Sequence, residues 1–244
     1  MTLTKQKKTY VALILDRSSS MQAIQEQIIS GYNEQVETIK RNALDVPTRV
    51  SLVTFASEAD EPTIWNRRPS HLETLNKDTY KPQGNTAMYD AVGLTVERLQ
   101  KVEDAWDPDT SFFITIVSDG EENNSKKYNK HNIASMVKEL QGTGRWTFAY
   151  IGANQDLTKV SADLGINIGN TYSFNATAAG TLDMNFEQSR GIDTYYSSRR
   201  AGKTQVKSLY TPDQWTGDTL EARSGTSGEP AQPNTVTTTQ SQAI

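Results

Sequence analysis

Apolar residues in the first two thirds of the chain fall into two alternating arrangements: short unbroken runs, and stripes spaced three or four apart. The first run, residues 10–15, stops at Asp16. An unbroken run of that length predicts a strand buried on both faces. Helical spacing follows at Met21, Ile24, Ile28, Tyr32, Val36 and Ile39, and Pro47 ends that region. Residues 49–55 alternate as a strand, and residues 63–66 predict a short antiparallel edge strand beside it. Residues 71–80 predict a short helix and a loop, and Pro82 and Gly84 a turn. Thr86 opens the next helix, with Met88, Ala91, Val92, Val96 and Leu99 on one face.

Residues 112–117 form a second unbroken run, followed by polar loop to about Asn129. Ile133, Met136, Val137 and Leu140 mark a helix, residues 146–151 a strand, and Leu157, Val160 and Leu164 a helix closed by Gly165. Residues 166–174 hold a last short strand. This alternation predicts an α/β fold: a doubly wound, Rossmann-like, mostly parallel sheet of about six strands with helices on both faces. Beyond Ala176, the residues Leu182, Phe186, Tyr195 and Tyr196 predict a helix with a break near Gly191. The expected organisation is an α/β domain over 1–175, a helical extension over 176–202 and a low-complexity tail over 203–244. The last twenty residues, rich in Thr, Ser, Gln, Gly and Pro, cannot offset the entropy of ordering and are expected to be disordered in isolation.

Composition narrows the function classes. The net charge of -4 comes with no block of like charges, which argues against nucleic-acid binding. No apolar stretch approaches the length of a membrane span. The basic cluster Lys5, Lys7 and Lys8 precedes only a strand-length run, so no secretory leader is expected and the cytoplasm is the default, or the virion for a phage-encoded chain. With no cysteine, disulfides and thiolate metal sites are excluded.

Three short motifs carry the candidate chemistry. They are Asp16-Arg17-Ser18-Ser19-Ser20, then Gly84-Asn85-Thr86-Ala87, then Val117-Ser118-Asp119-Gly120-Glu121-Glu122. Each follows an apolar run or a turn that could end a strand. In an open α/β sheet, ligands bind beyond the carboxyl ends of the strands, where strand order reverses. Asp16 and Asp119 with the hydroxyls of Ser18, Ser20 and Thr86 make a set of oxygens suited to a hard divalent cation. Each residue alone is also an ordinary helix cap or turn residue. Asp90 is expected to face solvent or hold its loop, and Glu121 and Glu122 to lie at a solvated loop edge or behind the site.

The three motifs in this order resemble the von Willebrand factor A domain and its metal-ion-dependent adhesion site. The family pattern is D-x-S-x-S after the first strand, a Thr on a later loop and an Asp after the fourth strand. Here it falls on Asp16, Ser18, Ser20, Thr86 and Asp119, and the likeness covers about residues 8–175. Ser19 departs from it, standing where the family often has Gly; it adds a side chain to a tight turn and removes no ligand. The resemblance implies a divalent ion, Mg²⁺ first, with Mn²⁺ or Ca²⁺ possible. It implies that Ser18 and Ser20 coordinate directly, Thr86 directly or through water, and the two Asp mainly through water. One position stays open for a Glu or Asp of a partner protein. Intracellular members often work beside AAA+ ATPases or in larger assemblies, so a partner of that kind is implied, with neither nucleic acid nor membrane.

Other chemistry is weaker in the sequence. A haloacid-dehalogenase-like phosphohydrolase also places Asp after its first strand, but needs an acid two residues on, where Ser18 stands. A virion or scaffold component tethered by the Ser/Thr-rich tail is compatible with the binding reading. Gly202-Lys203-Thr204 echoes the end of a phosphate loop without the earlier Gly or a preceding strand. His71 and His131 lack ligand spacing. Asn123-Asn124-Ser125 and Asn175-Ala176-Thr177 match glycosylation sequons that have no meaning without secretion. Trp65, Trp106, Trp146 and Trp215 are expected in core or edge packing. No nucleophile and base pair is evident, so no enzyme is expected.

Overall fold

The computed structural model describes residues 8–175 and 177–210. Six strands form one sheet in the order β3-β2-β1-β4-β5-β6. They are β1 Thr9–Asp16, β2 Thr48–Phe55, β3 Ile64–Arg67, β4 Ser111–Ser118, β5 Trp146–Ala153 and β6 Thr171–Phe174. All pairings are parallel except β2 with β3. The doubly wound sheet is therefore as the alternation of runs and stripes predicts, including its antiparallel edge strand.

The strand runs lack polar alternation because helices cover both faces. Val11, Leu13 and Leu15 of β1 pack with α1 (Gln25–Asn42) and α5 (Ala178–Arg200). Tyr10, Ala12 and Ile14 face the other way, onto α2 (Met88–Leu99), α3 (Lys130–Gly142) and α4 (Leu157–Leu164). Across the second layer Tyr10, Phe112, Trp146 and Phe148 stack in a row through three consecutive ring contacts along the sheet's base. The chain leaves β1 toward β2 on one side and reaches β4 on the other. The switch point thus lies between the carboxyl ends of β1 and β4.

Several elements differ from expectation. Residues 71–80 form no helix: a 3-10 turn, Pro69–His71, leads into extended chain anchored by buried Leu72, Leu75 and Tyr80. β2 is buried almost throughout despite its polar alternation. Its Ser51 accepts from the Asn66 amide (3.0 Å) and its Thr54 donates to Asp60 (2.6 Å), so both polar side chains are satisfied. Trp146 is core, whereas Trp106 is 76% exposed.

The helix expected over 176–202 is α5, and it runs unbroken through Gly191. A Cβ on Gly191 would stand 2.5 Å from the Tyr210 ring, so this glycine makes room for an aromatic side chain rather than a bend. Met184, Gln188, Ile192, Tyr195, Tyr196 and Arg199 form the buried stripe of α5, while Leu182 and Phe186 are exposed. The stripe joins the same core as β1 and α1. Residues 203–210, assigned to the tail by composition, are packed: Leu209 and Tyr210 are buried and their amides donate to the Gly169 carbonyl. The expected tail from 211 onward, with Trp215, and the basic cluster at Lys5 and Lys7 lie outside the described residues.

Candidate metal centre

Three loops meet above the switch point. The β1 run ends at Asp16 and the chain turns through Ser18 into a 3-10 segment, Ser19–Ile24, ahead of α1. Backbone bonds lace this turn to its neighbours: Arg17 N–H to Phe55 O, Gln83 N–H to Arg17 O, and Ser19 N–H to Gly84 O. Ser19 thus occupies the turn through its amide, and it is not among the residues with positive φ. The Thr86 loop is tied likewise. Its amide donates to Asn123 Oδ1 (3.0 Å), and its carbonyl accepts from the Asn123 amide (3.0 Å).

The five residues named by the motifs converge here. Asp16 is fully buried, its Oδ1 accepting from the Ser18 amide at 2.7 Å and its Oδ2 from the Ser118 hydroxyl at 2.5 Å. Ser18 Oγ lies 3.1 Å from Ser20 Oγ, and Ser20 Oγ donates to Asp119 Oδ1 at 2.7 Å. A Cβ on Gly120 would sit 3.3 Å from Thr86 Oγ1 and 3.7 Å from Ser20 Oγ, which brings the Thr86 hydroxyl to the same spot. Asp16, Ser18 and Thr86 form a buried floor, with Ser20 and Asp119 at the mouth.

The hydroxyls are not spent as helix caps. Ser18 stands at the N-cap of the 3-10 segment and makes no side-chain capping bond. Ala87, not Thr86, is the N-cap residue of α2, again with no side-chain cap. By contrast, α3 and α4 are capped by the side chains of Asn129 and Asp156.

Electrostatics single out Asp16. Burial pushes its carboxyl up to about 6, the bonds from Ser118 and Ser18 oppose the shift, and the neighbouring Asp119 adds to it. Asp119 is also raised, by burial, against the bond from Ser20. Two acids brought together at a sheet end, both resisting ionisation, are the arrangement a bound cation would relieve. Among the described residues no three His, Cys, Asp or Glu side chains cluster. A cation at these residues would therefore draw its other ligands from hydroxyls and water, which suits a hard ion that keeps part of its hydration.

Residues beyond the motif ligands hold the site. Ser118, quoted in the motif without a role, fixes one Asp16 oxygen. The Tyr80 hydroxyl donates to the Asp16 carbonyl at 2.5 Å, a contact across 64 positions that no local pattern announces. Glu122 is a loop staple: its carboxylate accepts from the amides of Tyr89, Asn124 and Ser125. Asp90 does the same for the amides of Lys126, Lys127 and Tyr128. Glu121 is exposed and pairs with Lys159. His71 and His131 take no part in the site, and Thr204 bonds the Gly144 carbonyl at the far end of the sheet.

The chain is similar to several proteins of known structure. The pilus adhesin SpaC from Lactobacillus rhamnosus GG matches with a TM-score of 0.55 and 11% identity, over 79% of this chain and 31% of that one. The ArnB paralog VWA2 from Sulfolobus acidocaldarius matches with a TM-score of 0.48 and 19% identity, over 77% and 45%. Proximal thread matrix protein 1 from the mussel byssus, in a structure with a zinc-occupied MIDAS motif, gives 0.49 and 14%, over 75% and 45%. The chain thus spans less than half the length of these solved structures. No curated protein matches. The model of the von Willebrand factor type A domain matches residues 11–188, well over half of the sequence, and the chain belongs to that family.

Proposed function

We propose that this domain is a metal-ion-dependent protein-binding module. In this reading Asp16, Ser18, Ser20, Thr86 and Asp119 hold a divalent cation, Mg²⁺ by preference, in an intact adhesion site. The cation presents an open position to a Glu or Asp of a partner protein. The observation that carries the reading is the gathering of the Ser18 and Thr86 hydroxyls near Ser20, which bonds Asp119, beside a buried Asp16, with no helix capped by them. Two carboxylates balance the ion's charge, and neutral hydroxyls leave it electrophilic enough to favour an anionic ligand over water.

The residues' share of the work is positional. Ser118 and the Ser18 amide hold Asp16, Ser20 orients Asp119, and Asn123 fixes the Thr86 backbone. The bound ion supplies the electrostatic attraction for the partner's carboxylate. The protein is itself acidic, so long-range steering of an acidic partner is weak and recognition is local. The partner is a protein, in an assembly or beside an AAA+ ATPase, and the module performs no turnover of its own.

Recovery of cross-linked partners with and without chelator tests the reading. Partners are expected to be lost in chelator and from Thr86→Ala, while phosphatase and nucleotidase screens with Mg²⁺ stay blank. Equal recovery in both conditions would move the interface to another face. Hydrolysis that disappears in Asp16→Asn would replace the binding module with an enzyme.

A further inference from the structure

At the opposite end of the sheet lies an open groove of about 580 Å³ whose charged lining residues are all cationic: Lys8, Lys40, Arg49 and Arg68. Its walls are otherwise small or apolar, including Pro69 and Leu44, which is 88% exposed. Lys8 and Thr48 sit at the amino ends of β1 and β2, whereas Asp16 ends β1. An eight-residue strand therefore separates the groove from the candidate metal centre, roughly 25 Å.

Half of this positive charge is balanced from within: Lys8 pairs with Asp104 and Lys40 with Glu37, while Asp45 is taken by Arg200. Among the described residues Arg49 and Arg68 have no side-chain hydrogen bond or ion pair. Val50 pairs with Arg67 across β2 and β3, so Arg49 and Arg68 are the next residues out on the two chains. Two like charges placed side by side at a strand pair repel each other. That repulsion turns to attraction when an external carboxylate lies between them, and a guanidinium grips a carboxylate through two parallel bonds.

We infer that this groove is a second docking surface, for an acidic segment of a partner protein that also carries an apolar side chain. The unpaired guanidiniums take its carboxylates, and Leu44 with Pro69 takes the apolar residue. A peptide is favoured over a nucleic acid because the lining holds no aromatic platform for bases and the protein as a whole is acidic. The surface is independent of the cation, so the domain can engage an acidic partner at both ends.

The probe is a labelled Glu-Glu-Leu-Glu-Glu peptide titrated onto the full chain by fluorescence anisotropy, with chelator present. Binding is expected to persist in chelator, to weaken with salt, and to fall about tenfold in the double variant Arg49→Gln, Arg68→Gln. Arg68→Gln alone, at an exposed position, is expected to give an intermediate loss, and circular dichroism checks that both variants fold. Unchanged affinity in the double variant overturns the inference. Loss of binding in chelator assigns the peptide to the metal centre and also overturns it. Tighter binding of single-stranded oligothymidylate or of phosphatidylserine vesicles at the same residues replaces the peptide with another partner class. Self-association of the wild type that vanishes in the double variant gives the groove to a second copy of this chain.

Discussion

The Ser20 hydroxyl donates to Asp119 Oδ1 at 2.7 Å, joining the loop after β1 to the loop after β4 across 99 positions. Beside it, Ser18 Oγ stands 3.1 Å from Ser20 Oγ, so one hydroxyl pair connects the buried floor with the exposed mouth. These contacts place the motif residues at the switch point of the sheet, where a doubly wound fold presents its ligands.

Asp16 gives the domain a pH dependence with a definite sign. Its carboxyl is pushed up to about 6 in the folded protein, from 3.8, chiefly by burial. The folded state therefore binds the proton more tightly than the unfolded chain. Without a cation, stability is highest below about pH 4 for this group and falls as pH rises through about 6. The span is on the order of 3 kcal/mol. Asp16→Asn is expected to flatten that part of the profile. Thermal melts in chelator at pH 4.5 and pH 7.5 measure it, and a wild-type profile unchanged by Asp16→Asn would refute this role. Protons and cation compete for the same carboxylate, so Mg²⁺ affinity is expected to drop below about pH 6.

Arg199 ties the end of α5 to the base of the sheet. It is 2% exposed, with bonds to Thr9 Oγ1 and to the carbonyls of Lys8, Asp109 and Lys203. Arg199→Ala removes all four bonds and leaves a cavity at a buried position, and is expected to cost about 2–4 kcal/mol in urea unfolding, with the m-value unchanged. A loss below about 0.5 kcal/mol would show that water replaces the guanidinium without penalty.

The segment after α5 is expected to contribute to stability through Tyr210. The Tyr210 ring is buried and seated against Gly191. Tyr210→Ala is expected to cost about 3–5 kcal/mol by the lost contacts and the cavity left behind. A chain stopped after Gly202 is expected to melt well below one stopped after Tyr210. Equal melting temperatures would mean that residues 203–210 are dispensable to the core.

Legibility in the sequence followed the range of the interactions. The strand runs and helical stripes were readable because burial on one or both faces imposes a local period, and Ile24, Ile28, Tyr32 and Val36 all face the core as spaced. The break expected at Gly191 was misread because glycine's low helix propensity is local, while the Tyr210 ring that requires it lies 19 positions on. Of the residues expected to mark α5, Tyr195 and Tyr196 are buried but Leu182 and Phe186 are exposed, and the buried stripe is completed by Met184, Gln188, Ile192 and Arg199. At the site, the five motif residues could be named from order and spacing. Asp90 does hold a loop, one of the two roles expected of it, but the roles of Tyr80, Ser118 and Glu122 could not be named, because each depends on loops brought together by the sheet.

Calorimetric titration of Mg²⁺ into wild type, Asp119→Ala and Thr86→Ala tests the central claim most directly. Wild type is expected to bind one ion. Asp119→Ala is expected to bind none measurably, since it removes one of only two charges that hold the ion. Thr86→Ala is expected to bind about tenfold more weakly with its fold intact, having lost one neutral ligand. Unchanged affinity in both variants would contradict the account and place the ion elsewhere or nowhere.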